Sequence, residues 1–137
     1  MNSLWKRGVA AGVLATWVAA ASAAPPCDGV DRSLSAEHQA AWAPEIARQL
    51  EVKRVEVLQS FRYGGWSIIY VETFVSDEQF LFYAHDPLTS HYVTSWSGAA
   101  ATFEEDEIGK WVLQNAPKIP LTLAKCFAWH VTNDRDK

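Results

Sequence analysis

Hydrophobic positions in this chain change period along its length, and the changes mark its elements. Trp42, Ile46 and Leu50 recur at intervals of four, on one face of a helix. Ser35 stands ahead of them as a candidate N-cap, and His38 lies one turn before Trp42 on the same stripe. Pro44 falls inside this pattern, so it is expected to kink the helix or to start a second short one after Ala43. From Val55 the period drops to two. Val55, Val57 and Phe61 alternate with polar residues, and Gly64-Gly65 offers a two-residue turn. Residues 66–75 are dense in β-branched and aromatic side chains and read as a central strand. Ser76-Asp77-Glu78 and residues 86–90 then read as turns that bound further strands at 79–85 and 91–97. Four strands joined by tight turns predict an antiparallel meander.

After Gly98 the helical period returns. Thr102 and Glu105 have the spacing of a capping box, and Phe103, Ile108, Trp111 and Val112 form the expected inward stripe. Asn115-Ala116-Pro117 stops this helix. Beyond Pro120, Phe127, Trp129 and Val131 alternate with Ala128, His130 and Thr132, which predicts a last strand at 126–132, and the tail Thr132–Lys137 reads as frayed. The order α-β-β-β-β-α-β describes an α+β domain. Its antiparallel sheet has about five strands, with two helices packed on one face.

The first residues add an address. Lys6 and Arg7 precede an apolar run over 9–21 that closes on Ala21-Ser22-Ala23. This is the basic, apolar and small-residue order of a secretory signal peptide, expected to be cleaved after residue 23, and the run is too short to serve as a membrane anchor. Residues 24–137 then form a single exported domain, periplasmic or secreted, and the alanine-rich leader points to a bacterium. Cleavage leaves ten basic against sixteen acidic residues, a net charge near −6. Such a balance argues against nucleic acid or an anionic membrane and favours a basic partner. The two cysteines, Cys27 and Cys126, are expected to pair as one disulfide in an oxidising compartment. Pro25-Pro26 stand where a lipidation signal would need small residues.

Catalytic signatures are missing. The chain has no Gly-x-Ser-x-Gly elbow, no His-Glu-x-x-His, no Cys-x-x-Cys and no glycine-rich phosphate loop, so no enzyme activity and no cofactor are expected. Ser95-Trp96-Ser97-Gly98 imitates an elbow only superficially, where a strand should end. The acids Glu104-Glu105-Asp106-Glu107 lie in a first helical turn, where the helix dipole favours them. His85 and His91 flank the turn 86–90 beside Asp86, and with His130 they raise the question of a zinc site. Nothing in the spacing makes the three converge, so no metal is expected. A protruding hairpin tip suits recognition, which makes His85, Asp86, His91 and Tyr92 candidate contacts. Trp66, Tyr70 and Phe74 alternate on one face of the second strand, with Ile69, Val71 and Val75 on the other. A sheet apolar on both sides is either covered twice or left with a patch for a partner. Trp66 belongs to that candidate patch, with Tyr63, Tyr83 and Tyr92 as rim contacts.

The element order, the run Phe80-Leu81-Phe82-Tyr83, then Tyr92-Val93-Thr94 and Trp96-Ser97-Gly98 with the helix after it, resembles the Ivy-type periplasmic inhibitors of lysozyme. The resemblance covers about half of residues 24–137. It implies a small exported α+β inhibitor with an early helix, an antiparallel sheet and a late helix. That family inhibits through a disulfide-closed Cys-Lys-Pro-His-Asp-Cys loop between two central strands. The corresponding connection here is Phe74-Val75-Ser76-Asp77-Glu78, so the family's inhibitory residues do not carry over. The nearest echo, His85-Asp86-Pro87, lies one turn later.

These features together lead to the expectation of a non-catalytic protein-binding domain, monomeric or weakly dimeric. Its most concrete form is an inhibitor or immunity protein acting on a basic cell-wall hydrolase or toxin. The alternative is an envelope protein with a structural role or a small ligand, the ligand enclosed by Trp66, Tyr70 and Trp96.

Overall fold

The computed structural model describes residues 10–16 and 26–135. Residues 10–16 carry no regular structure, and the rest of the expected leader, with its cleavage sequence, lies outside the described residues. Helix α1 (Ala36–Leu50) comes first, then strands β1 (Glu56–Tyr63), β2 (Trp66–Glu72), β3 (Gln79–Tyr83) and β4 (Thr94–Ser97), then helices α2 (Glu105–Asn115) and α3 (Leu121–Asn133). The strands form one antiparallel sheet in the order β1-β2-β3-β4. The protein is thus α+β with the expected meander, but with four strands and three α-helices among the described residues.

Both faces of β2 and β3 are apolar, and both are covered. On one face Val57, Ile69, Val71, Leu81 and Tyr83 pack against Trp42, Ile46 and Ala47 of α1. On the other, Phe61, Ile68, Phe80 and Phe82 pack against Ile108 and Val112 of α2 and Leu123, Phe127 and Val131 of α3. The helices therefore flank the sheet on both sides, not on one. A bulge at Leu58 makes this possible. Val57 pairs with Val71 and Gln59 with Tyr70, so one extra residue on β1 reverses which face each later side chain meets. Val57 and Phe61, which alternation placed together, end on opposite faces for this reason.

Helix α1 begins where Ser35 predicts, with the Ser35 hydroxyl accepting the His38 N–H at 3.1 Å. It runs through Pro44 without a second start. Pro44 sits on the exposed side, while Trp42 and Ile46 on either side of it are buried, and their packing offsets the lost backbone bond. Strand β2 stops short of 75. Phe74 takes a left-handed φ of 65°, so it and Val75 leave the ladder for the surface.

The second helix is capped one residue earlier than the Thr102–Glu105 spacing predicts, and its α-helical part begins later, at Glu105. The Glu104 carboxylate accepts the Ala101 N–H at 2.6 Å, and a 3-10 turn at Thr102–Glu104 leads into α2. That turn swings Phe103 outward to 86 % exposure, while Ile108 and Val112 point into the core. Glu105, Asp106 and Glu107 occupy the first turn of α2, as its dipole favours.

The largest correction concerns 126–132, which is helix and not strand. Leu123, Phe127 and Val131 recur at intervals of four and are all buried, with Ala124 and Ala128 beside them. The alternation of Phe127, Trp129 and Val131 spans too few residues to exclude a helix buried on most of its sides. Nor does the chain fray at Thr132. That side chain is buried, with its hydroxyl donating to the Ala128 carbonyl at 2.7 Å, and the Arg135 guanidinium donates to the Gly98 carbonyl.

Cys27 and Cys126 form the expected disulfide, with their Cα atoms 4.5 Å apart across 99 residues of sequence. The bond ties the segment before α1 to the middle of α3. In the chain-entropy account a loop this long contributes roughly 4–5 kcal/mol. The oxidised protein, denatured without reductant, is expected to show no free thiol. Cys27→Ser/Cys126→Ser should lower the unfolding free energy by about 3–5 kcal/mol in a denaturant titration read by tryptophan fluorescence.

Candidate functional site

Strand β3 ends at Tyr83 and β4 begins at Thr94, so residues 84–93 form one long connection at that end of the sheet. His85 and His91 are consequently in a loop and do not face each other across neighbouring strands. The loop is tightly folded. The Asp86 carboxylate accepts the Leu88 N–H at 2.8 Å, and the Asp86 carbonyl accepts the N–H groups of Thr89 and Ser90 at 3.0 and 2.9 Å.

Gln49 of α1 fastens the loop to the body. Its amide nitrogen donates to the carbonyls of Pro87 and Ser90 at 3.2 and 3.0 Å, and its amide oxygen accepts the Tyr83 hydroxyl at 2.7 Å. One buried tyrosine, one helix residue and two loop carbonyls thus form a single chain of hydrogen bonds. Burial pushes the Tyr83 phenol well above its ordinary value of 10, with the nearby Tyr92 and Glu45 adding to the effect, so the hydroxyl stays a donor.

The candidate contacts fall into two groups. His85, Asp86 and His91 are exposed, and Tyr92 is half-buried with its ring edge against Tyr83 at 6.3 Å. The His91 Nδ1 lies 2.8 Å from the Tyr92 carbonyl, which only accepts, so Nδ1 carries the proton and Nε2 is the acceptor of the neutral ring. Tyr83 and Trp66 are buried and are not surface contacts. Tyr83 supports the loop from beneath, and Trp66 joins the core on the α2/α3 face with Tyr70 and Trp96 packed against the same cluster. The expected ligand enclosure by those three is therefore packed protein. His130 sits fully buried on α3, its Nε2 2.9 Å from Gln59 Oε1 and its ring edge-on to Phe61. Among the described residues no group of three or more His, Cys, Asp or Glu is placed to hold a metal.

Beside the loop lies a cleft of about 290 Å³ between α1, the β1–β2 turn and residues 86–88. His38 stacks flat on Trp42 at 4.6 Å along its wall, as their shared helical stripe suggests. Arg62 lines it too, with Nη2 donating to Asp31 Oδ2 at 3.0 Å. Hydrogen bonds from Ser33, then the Arg62 charge, hold the Asp31 carboxyl below the usual aspartate range. Its stabilising effect is present above that range and lost as pH falls through the lowered value.

Two features had no sequence signal. Gln49 looks like any helical glutamine until the loop is seen to fold over it. Phe74, at the opposite end of the sheet, has its ring 3.8 Å from the Arg54 guanidinium carbon, and Val75 beside it is 74 % exposed. Comparison with family models, with curated proteins and with solved structures yields no match.

Gln49→Leu should leave Tyr83 and two loop carbonyls without their partner. The expected result is a loss of about 1–3 kcal/mol and faster amide exchange confined to residues 84–93 and their support. Tyr83→Phe removes a group whose raised pKa makes stability fall as pH rises past 10. Urea midpoints measured from pH 8 to 11 should therefore drop less steeply for this variant than for the parent protein.

Proposed function

We propose that this chain is an exported, non-catalytic binding protein that inhibits, or confers immunity to, a basic cell-wall hydrolase or toxin. The carrying observation is the loop 84–93: a conformation fixed from within by Asp86 and from below by Gln49, which presents His85, Asp86, Leu88 and His91 to solvent. A loop held in one conformation limits the ordering cost that binding a partner incurs. Leu88 is 46 % exposed and supplies an apolar centre among polar neighbours. The acidic balance of the chain favours a basic partner and speeds encounter with it. The disulfide and the absence, among the described residues, of a helix long and apolar enough to cross a membrane are compatible with export. The resemblance to Ivy-type inhibitors supports the same class while leaving the contact residues to be found in this chain.

The test is lysis of purified peptidoglycan by a panel of basic lysozymes and cell-wall amidases, with and without the oxidised protein. Inhibition of one of them is expected. His85→Ala/Leu88→Ser/His91→Ala should weaken it at least ~10-fold with an unchanged melting temperature, since central contact residues typically cost 1–2 kcal/mol or more each. No inhibition across the panel, together with no partner captured from envelope extract, would remove this reading.

The cleft beside the loop favours a second reading, a small-ligand role, because His38, Arg62 and Asp86 bring polar groups of both signs to one concave surface. Native mass spectrometry of the purified protein decides it: a co-purifying ligand released by Arg62→Ala supports that role, and a bare polypeptide mass counts against it.

A further inference from the structure

We propose that Asp86–Pro87 is a self-cleavage site, where the folded chain breaks its own peptide bond in mild acid through the Asp86 carboxyl group. Of the six prolines only Pro87 follows an aspartate. Such a bond has its own chemistry. Proline has no N–H, so its nitrogen cannot close on the aspartate side chain, and as a tertiary amide nitrogen it leaves readily once protonated. The route left open is attack by the side chain on its own carbonyl carbon, and the loop 84–93 surrounds that carbonyl with donors. The Asp86 oxygen accepts the N–H groups of Thr89 and Ser90 at 3.0 and 2.9 Å, the Ser90 hydroxyl at 2.7 Å and the Thr89 hydroxyl at 3.4 Å. Donors converging on one oxygen stabilise the negative charge that grows there when a nucleophile adds.

The Leu88 N–H holds Oδ1 of Asp86 at 2.8 Å, which leaves Oδ2 as the attacking atom. Its new bond to the Asp86 carbonyl carbon closes a ring, and the carbonyl oxygen takes the negative charge among its donors. The C–N bond to Pro87 then breaks, and the nitrogen takes up the proton that the carboxyl group gives up. The products are a cyclic anhydride at Asp86 and a free amine at Pro87. Water reaches the exposed Asp86 and opens the anhydride to two carboxyl groups, so the net change is one water added. Acid supplies the proton. The charged and titratable groups on the surrounding elements are His38 and Glu45 of α1, Arg62 of β1, and His85 and His91 of the loop. Of these, His38 and Arg62 line the cleft that Asp86 and Pro87 share. The cut severs the loop that we place against a partner, so acid would end binding, but the cleavage itself does not rest on that reading.

The cut falls between Cys27 and Cys126, so the two pieces stay joined until the disulfide is reduced. The test holds the purified disulfide-bonded protein at about pH 4 and follows it by mass spectrometry with and without reductant. Unreduced, the protein should gain the mass of one water. Reduced, it should give one piece ending at Asp86 and one beginning at Pro87. The folded chain is expected to cut at least ~10-fold faster than the same chain reduced and unfolded in guanidinium chloride at that pH. Ser90→Ala should slow the cut at least ~10-fold, Ser90→Thr should keep the parent rate, and Asp86→Asn should abolish the cut. Melting temperatures at the same pH confirm that the variants are folded. An intact bond overturns the proposal. So does an unfolded chain that cuts as fast as the folded one, or a folded Ser90→Ala variant that cuts at the parent rate.

Discussion

Two adjacent strands that are apolar on both faces, β2 and β3, set the terms for everything around them. Ile69, Val71, Leu81 and Tyr83 need cover on one side, while Ile68, Phe80 and Phe82 need it on the other. Each fully buried side chain of this size contributes roughly 1.5–3 kcal/mol over leaving it in water. That demand sends α1 to one face and the α2–α3 pair to the other. It also explains the bulge at Leu58, which lets a single edge strand give Val57 to the first core and Phe61 to the second.

Much of this was legible in the residues. The meander could be read because β1 alternates at its ends, β2 is dense in β-branched and aromatic residues, and turn chemistry bounds the strands, Gly64-Gly65 and Asp86-Pro87 among it. The start of α1 could be read because Ser35 caps it directly. What failed did so for identifiable reasons. The stretch 126–132 is buried nearly all round, so its polar–apolar order carries no period, and only Leu123 betrays the helix. Pro44 reads as a break, yet the packing of Trp42 and Ile46 carries the helix past it. The face exchanged at Leu58 has no signature in one sequence, since a bulge costs one residue and no special residue type.

The loop 84–93 shows the same divide. That residues 86–90 turn the chain was readable from their chemistry. That Tyr83 is an anchor and not a contact was not, because tyrosine suits either place and its hydroxyl partner, Gln49, lies 34 residues away. Long-range hydrogen bonds of this kind are set by how elements pack, so they surface only once the layers are assembled. The result is a loop with low-entropy geometry mounted on a well-buried sheet, which is what recognition by a small domain requires.

The disulfide has a topological consequence beyond its energy. Because it joins Cys27 to Cys126, the whole sheet and the start of α3 belong to a closed ring, and opening the fold does not open the ring. A machine that unfolds its substrate by threading one strand through a narrow pore must, on reaching either cysteine, draw two strands through together. While the bond stands, a pulled chain can lose its structure and still present a doubled strand to the pore.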